Sequence, residues 1–151
     1  MVRLYDPLTH QTELARISEY LADDHKLLSL SELCRLEVLN VLLRKPETGA
    51  ARKFEEDLAE GSRLRTEAVN WADAFRNAES LAWRFSSTLK PGGHDLVLVA
   101  AAVAMGATWF LSFDRNSRQR PLAAAAGLRL WPPLDKDERG LIRHASRRAG
   151  A

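Results

Sequence analysis

The sequence predicts an α/β fold built on a mainly parallel central sheet, and three observations carry that expectation. Helix-like and strand-like stretches alternate along most of the chain, the pattern of βα units rather than of an all-helical or all-β protein. Residues 96–105 are apolar without interruption, so this helix should be covered on every side; ten residues are too few to span a bilayer. Gly106 ends that helix, and the aromatic and apolar run 109–113 follows it as a short buried strand.

The elements read in order as follows. Residues 1–7 are short and ambiguous. Thr9 or Thr12 caps a helix through about Leu21, with Leu14, Ile17, Tyr20 and Leu21 on one face. Asp23-Asp24-His25 break it, and Lys26 to Leu30 form a strand. Ser31 caps a second helix, with Glu32 in its first turn, running to about Arg44 before Pro46. Leu33, Leu36, Leu39, Val41, Leu42 and Leu43 are its expected packing surface. Gly49 to Glu60 is a polar amphipathic helix closed by Gly61, and 62–69 holds a short strand. Asn70 to Leu89 is a longer helix with Trp71, Phe75, Ala78, Leu81, Ala82 and Phe85 facing inward. Lys90-Pro91-Gly92-Gly93 lead into the apolar helix. Beyond the strand 109–113 come a basic segment, an Ala-rich helix from Pro121 to Ala126 ended by Gly127, and a last strand, 128–131, stopped by Pro132-Pro133. The charged residues 134–151 could touch RNA, but read first as a frayed, solvated tail behind a domain spanning 1–133.

Composition narrows the function classes. The chain has 151 residues, enough for one domain with a real core. Its formal net charge of +2 is too small to argue for nucleic-acid binding by itself. The single cysteine, Cys34, cannot form an internal disulfide, and no Cys/His cluster has zinc spacing. No signal-peptide region or membrane span is legible, which points to a cytoplasmic protein. No Gly-x-Gly-x-x-Gly or Gly-Lys-Ser/Thr loop supports nucleotide binding.

Three acids stand out by position. Asp95 falls in the first turn of the apolar helix and Asp114 closes the strand after it. In a βαβ arrangement both ends lie at the carboxyl edge of the sheet, where α/β folds place their sites. Glu37 sits among the apolar residues of the second helix, which also follows a strand. Each has a plain structural reading: a charge favoured by the helix macrodipole for Asp95, a turn residue for Asp114, and a salt bridge to an arginine for Glu37. Their shared placement is what favours a site.

In the family's order and spacing, the chain carries Arg35-Leu36-Glu37-Val38-Leu39-Asn40, His94-Asp95-Leu96 running into Val99-Ala100-Ala101-Ala102, Phe113-Asp114, and Leu122-Ala123 through Gly127-Leu128. In these pieces it resembles the PIN domain, and within it the VapC-type toxin ribonucleases, over roughly residues 4–133. The resemblance implies a three-layer α/β/α architecture and an acidic cluster of Glu37, Asp95 and Asp114. It implies that this cluster binds Mg²⁺ or Mn²⁺, cuts RNA, and is held inactive by an antitoxin protein. Converging carboxylates repel unless a hard cation with oxygen ligands joins them, so the residue types suit that chemistry. Arg115, Arg118 and Arg120, just past Asp114, would hold the substrate backbone. The chain departs from the pattern in its loop after Asp114, in Val99, and above all in its first acid. The family's opening strand ending in Asp would fall before Met1, or else Val2 to Tyr5 is that strand and Asp6 the acid. A sheet lacking that strand would expose backbone donors and acceptors and pair with a second copy as a homodimer. A catalytically inactive PIN fold, serving as a binding or dimerisation module, is the alternative.

Overall fold

In the computed structural model, residues 11–22 and 27–149 are described. The expectations for Val2 to Tyr5, Asp6, a Thr9 cap and the break at Asp23-Asp24-His25 lie outside these residues. The fold is mixed α/β, with seven α-helices and four short strands among the described residues. The strands form two small sheets of two strands each, and both pairs run parallel. The chain divides into two compact units, 1–68 and 69–151.

The first unit contains α1 (Gln11–Leu21), β1 (Leu28–Ser31), α2 (Glu32–Leu42), a 3-10 turn at Pro46–Thr48, α3 (Ala50–Glu60) and β2 (Leu64–Glu67). Strands β1 and β2 pair from Leu28 opposite Leu64 to Ser31 opposite Glu67. Ser31 ends β1 and caps α2 in one step: its backbone is extended and its Oγ accepts the Cys34 N–H at 3.2 Å. Gly49 and Gly61 bracket α3 at φ +68° and +67°, a conformation that costs glycine little. Buried Ile17, Leu28, Leu30, Val38, Leu42, Phe54 and Leu64 supply the apolar interior. The expected leucine surface of α2 is corrected here. Only Val38 and Leu42 are fully buried, while Leu36 is 62% exposed and Val41 and Leu43 also face out. A helix lying on a two-stranded sheet and one neighbouring helix buries a single stripe, here the i, i+4 pair Val38 and Leu42. Arg35, on the same helix, donates from Nη2 to Glu55 Oε2 of α3 at 2.8 Å.

The second unit contains α4 (Trp71–Phe85), α5 (Gly93–Ala104), β3 (Trp109–Leu111), α6 (Gln119–Ala125), β4 (Arg129–Trp131) and α7 (Lys136–Ala149). Asn70 caps α4 through Oδ1, which accepts the Asp73 N–H at 3.3 Å. Helices α4 and α5 pack together, and the core joins Leu81 and Phe85 of α4 to Val99 and Ala100 of α5, Leu122 of α6 and Leu130 of β4. Three sequence expectations are corrected. Phe75 is 55% exposed, and Ala74 takes the buried place instead. Helix α5 is fully buried only at Val99, Ala100 and Ala101, with Val103 and Ala104 facing out; its alanines are small enough that an apolar helix need not be covered all round. Strand β3 has no fully buried residue and Trp109 is 44% exposed, because β4 is its only partner among the described residues.

The C-terminal segment also differs, over its described residues 134–149. It is no frayed tail but largely helix α7, whose Ala145 is completely buried in the core of this unit. Two devices hold it. Asp135 Oδ1 accepts the Glu138 N–H and Glu138 Oε2 accepts the Asp135 N–H, both at 2.9 Å, a reciprocal capping box. Glu138 also receives Arg120 Nε on Oε1 at 2.6 Å. The Asp135 carboxyl is held below the usual aspartate range, first by the hydrogen bond from the Glu138 N–H and then by the charge of Arg115. A depressed folded-state value stabilises the fold above the unfolded-state pKa, and that contribution is lost as pH falls through the folded value. The helical signal of α7 should therefore drop in acid below the ordinary aspartate value of about 3.9. Asp135→Asn should flatten that drop when circular dichroism is followed against pH.

Candidate active site

The three acids sit in different local settings: mid-helix, first helical turn and loop. Glu37 lies in the second turn of α2 and is half-buried in the first unit. Close by on the same helix, burial pushes the Cys34 thiol up, and the Glu37 charge adds to the shift. Asp95 and Asp114 belong to the second unit. Asp95 lies in the first turn of α5, where its Oδ2 accepts the Gly92 N–H at 3.2 Å. This carboxylate closes the helix entry and complements the positive end of the helix dipole.

Asp114 comes three residues past the end of β3 and is exposed. Its Oδ1 accepts the Asn116 N–H at 2.8 Å and the Ser117 N–H at 3.2 Å. Its own N–H donates to Ser112 Oγ at 3.2 Å. Ser112 Oγ donates in turn to Gln119 Oε1 at 2.9 Å, so the loop is tied at both ends. Short polar side chains that bond the backbone two or three residues on are what make such turns. Ser112 and Gln119 were not singled out from the sequence; a serine beside the acid was the only available signal.

The three arginines have different fates. Arg115 is largely exposed and its Nη1 lies 3.8 Å from Asp135 Oδ2, at the start of α7. Arg118 is exposed and stands immediately before α6. Arg120, expected to hold substrate, is 1% exposed. It bonds Glu138 through Nε and Nη2, the Ser112 carbonyl through Nη1, and the Pro132 and Pro133 carbonyls through Nη2. A guanidinium offers five donors in a rigid fork, and here they join the end of β3, the segment after β4 and α7. Arg120 is therefore structural, because a buried cation needs every one of these partners. Its partner Glu138 was also missed, although Asp135 followed three residues later by Glu138 is a capping-box spacing.

Carboxylate oxygens are the donor set that Mg²⁺ or Mn²⁺ prefers. Among the described residues, however, no group of three or more His, Cys, Asp or Glu is arranged to hold a metal ion. None of the described helices is long and apolar enough to cross a membrane. Compared with known proteins, the chain matches no family model, no curated protein and no solved structure.

Proposed function

We propose that the chain is a PIN-like, metal-dependent ribonuclease of the VapC toxin type, with Glu37, Asp95 and Asp114 as its catalytic acids. A three-layer α/β/α arrangement, an antitoxin partner, a homodimeric state and a cytoplasmic location belong to the same reading. The observation that carries it is where each acid falls relative to a strand or a helix start. Glu37 follows a parallel strand within two turns of helix, Asp95 opens a helix, and Asp114 follows a parallel strand. These are the positions where α/β folds gather catalytic groups. The tied loop around Asp114 would hold its carboxylate in a fixed orientation, with exposed Arg115 and Arg118 beside it for phosphate oxygens. A Mg²⁺ or Mn²⁺ ion on these carboxylates would supply charge neutralisation and an activated water.

A second reading, a catalytically inactive PIN fold used for binding, is favoured by one specific feature. Asp95 and Asp114 both spend an oxygen on backbone N–H groups, as purely structural acids do. The test is cleavage of a mixed single-stranded RNA with added Mn²⁺, comparing the wild type with Glu37→Gln, Asp95→Asn and Asp114→Asn. Each variant should lose at least about 100-fold in rate, the scale of removing one charge-stabilising group from an active site. Asp114→Asn keeps the Oδ1 acceptor, so its thermal midpoint should stay close to that of the wild type. Absent cleavage by the wild type would favour the second reading, and metal-independent cleavage would overturn the metal-dependent site.

A further inference from the structure

We infer that the outward face of α7 is a track for the phosphate backbone of single-stranded RNA, leading away from the Asp114 loop; the inference rests on the ribonuclease reading above. Lys136, Arg139, Arg143 and Arg147 are all exposed. At 3.6 residues per turn they fall within an arc of about 80°. Glu138 and Ala145, which are buried, and Leu141, which packs on the core, point to the opposite side. The helix is thus fixed in rotation by its inner face, and the four cations are presented outward. None of them forms an ion pair within the described residues.

The track begins where the candidate site ends. Arg115, next to Asp114, reaches Asp135 immediately before α7, and Arg120 bolts α6 to Glu138 of the first turn. From Arg139 to Arg147 the cations advance one per turn over about 12 Å. With a formal net charge of only +2, the whole molecule has little general pull on polyanions, so attraction must come from a local array of this kind. An anionic membrane is the poorer fit: interfacial helices insert an apolar face, and every exposed residue described on α7 is polar or charged.

The experiment is binding of a fluorescent 20-nucleotide single-stranded RNA to the full chain in EDTA, read by anisotropy over a range of salt. Arg139→Gln, Arg143→Gln and Arg147→Gln are combined in one variant, and Arg16→Gln, Arg44→Gln and Arg52→Gln in a control of equal charge loss. If three phosphate contacts are removed, the salt slope should fall by about 2 and the affinity at low salt by tenfold or more. The control should change little, and the two variants should match the wild type in far-UV circular dichroism. Equal losses in both variants, or none in the α7 variant, would overturn the track. So would binding of phosphatidylserine vesicles or polyglutamate as tightly as RNA. Because EDTA removes cleavage from the measurement, failure of the nuclease reading appears separately, as absent Mn²⁺-dependent cleavage with RNA binding intact.

Discussion

Glu138→Ala is expected to cost about 3–5 kcal/mol of stability, because it leaves the Arg120 guanidinium buried without its counter-charge. The side chains are only 1% and 10% exposed, so solvent does little to screen the loss. The same substitution removes the acceptor of the Asp135 N–H and with it half of the cap on α7. All four tryptophans, at 71, 83, 109 and 131, lie in the second unit, so their fluorescence reports its unfolding directly. Urea unfolding followed by that fluorescence should show the shift. A pair-deleting variant, Arg120→Met with Glu138→Leu, should recover part of the loss, since burying neither charge is cheaper than burying one. A Glu138→Ala protein within about 1 kcal/mol of the wild type would mean that α7 is held by its apolar face alone, the level of an ordinary surface contact.

Phe54→Ala should cost about 3–5 kcal/mol in the first unit. Phe54 is completely buried on α3, and removing its ring leaves a cavity that a unit with short strands and 11-residue helices is poorly placed to collapse around. Leu36→Ala, by contrast, should fall within about 0.5 kcal/mol of the wild type, as surface substitutions do. The pair of variants, compared by far-UV circular dichroism during thermal unfolding, tests which stripe of α2 and α3 faces the interior. A large loss from Leu36→Ala would restore the broad leucine surface that the sequence pattern suggests.

Much of the local structure was legible in the sequence, and for physical reasons that act over a few residues. Ser31 and Asn70 announce helix starts because a short polar side chain satisfies an orphan backbone N–H there. Gly49, Gly61, Gly106 and Gly127 mark helix boundaries because the chain needs positive φ at those points. The parallel character of the strand pairs followed from the alternation of helices and strands. The local positions of Asp95 in a first helical turn and of Asp114 just past a strand were legible in the same way.

What the sequence by itself could not determine is which side of each element meets a neighbour. Leu36, Phe75 and Trp109 are as apolar as the residues that are buried, and only the number and placement of neighbouring elements decides that they face out. A leucine-rich helix with two neighbours buries one stripe, whatever its composition allows. Arg120 illustrates the same limit from the charged side. In the sequence it is one of three arginines after Asp114. The tertiary structure separates it from Arg115 and Arg118 by bringing Ser112, Pro132, Pro133 and Glu138 around it. Those partners are distant in sequence, so no local pattern encodes the contact; it exists because a buried guanidinium requires acceptors for its donors and the fold supplies them. Together with the capping box and buried Ala145, that contact makes a run of alternating charges at the C-terminal end a docked helix, apolar inward and basic outward.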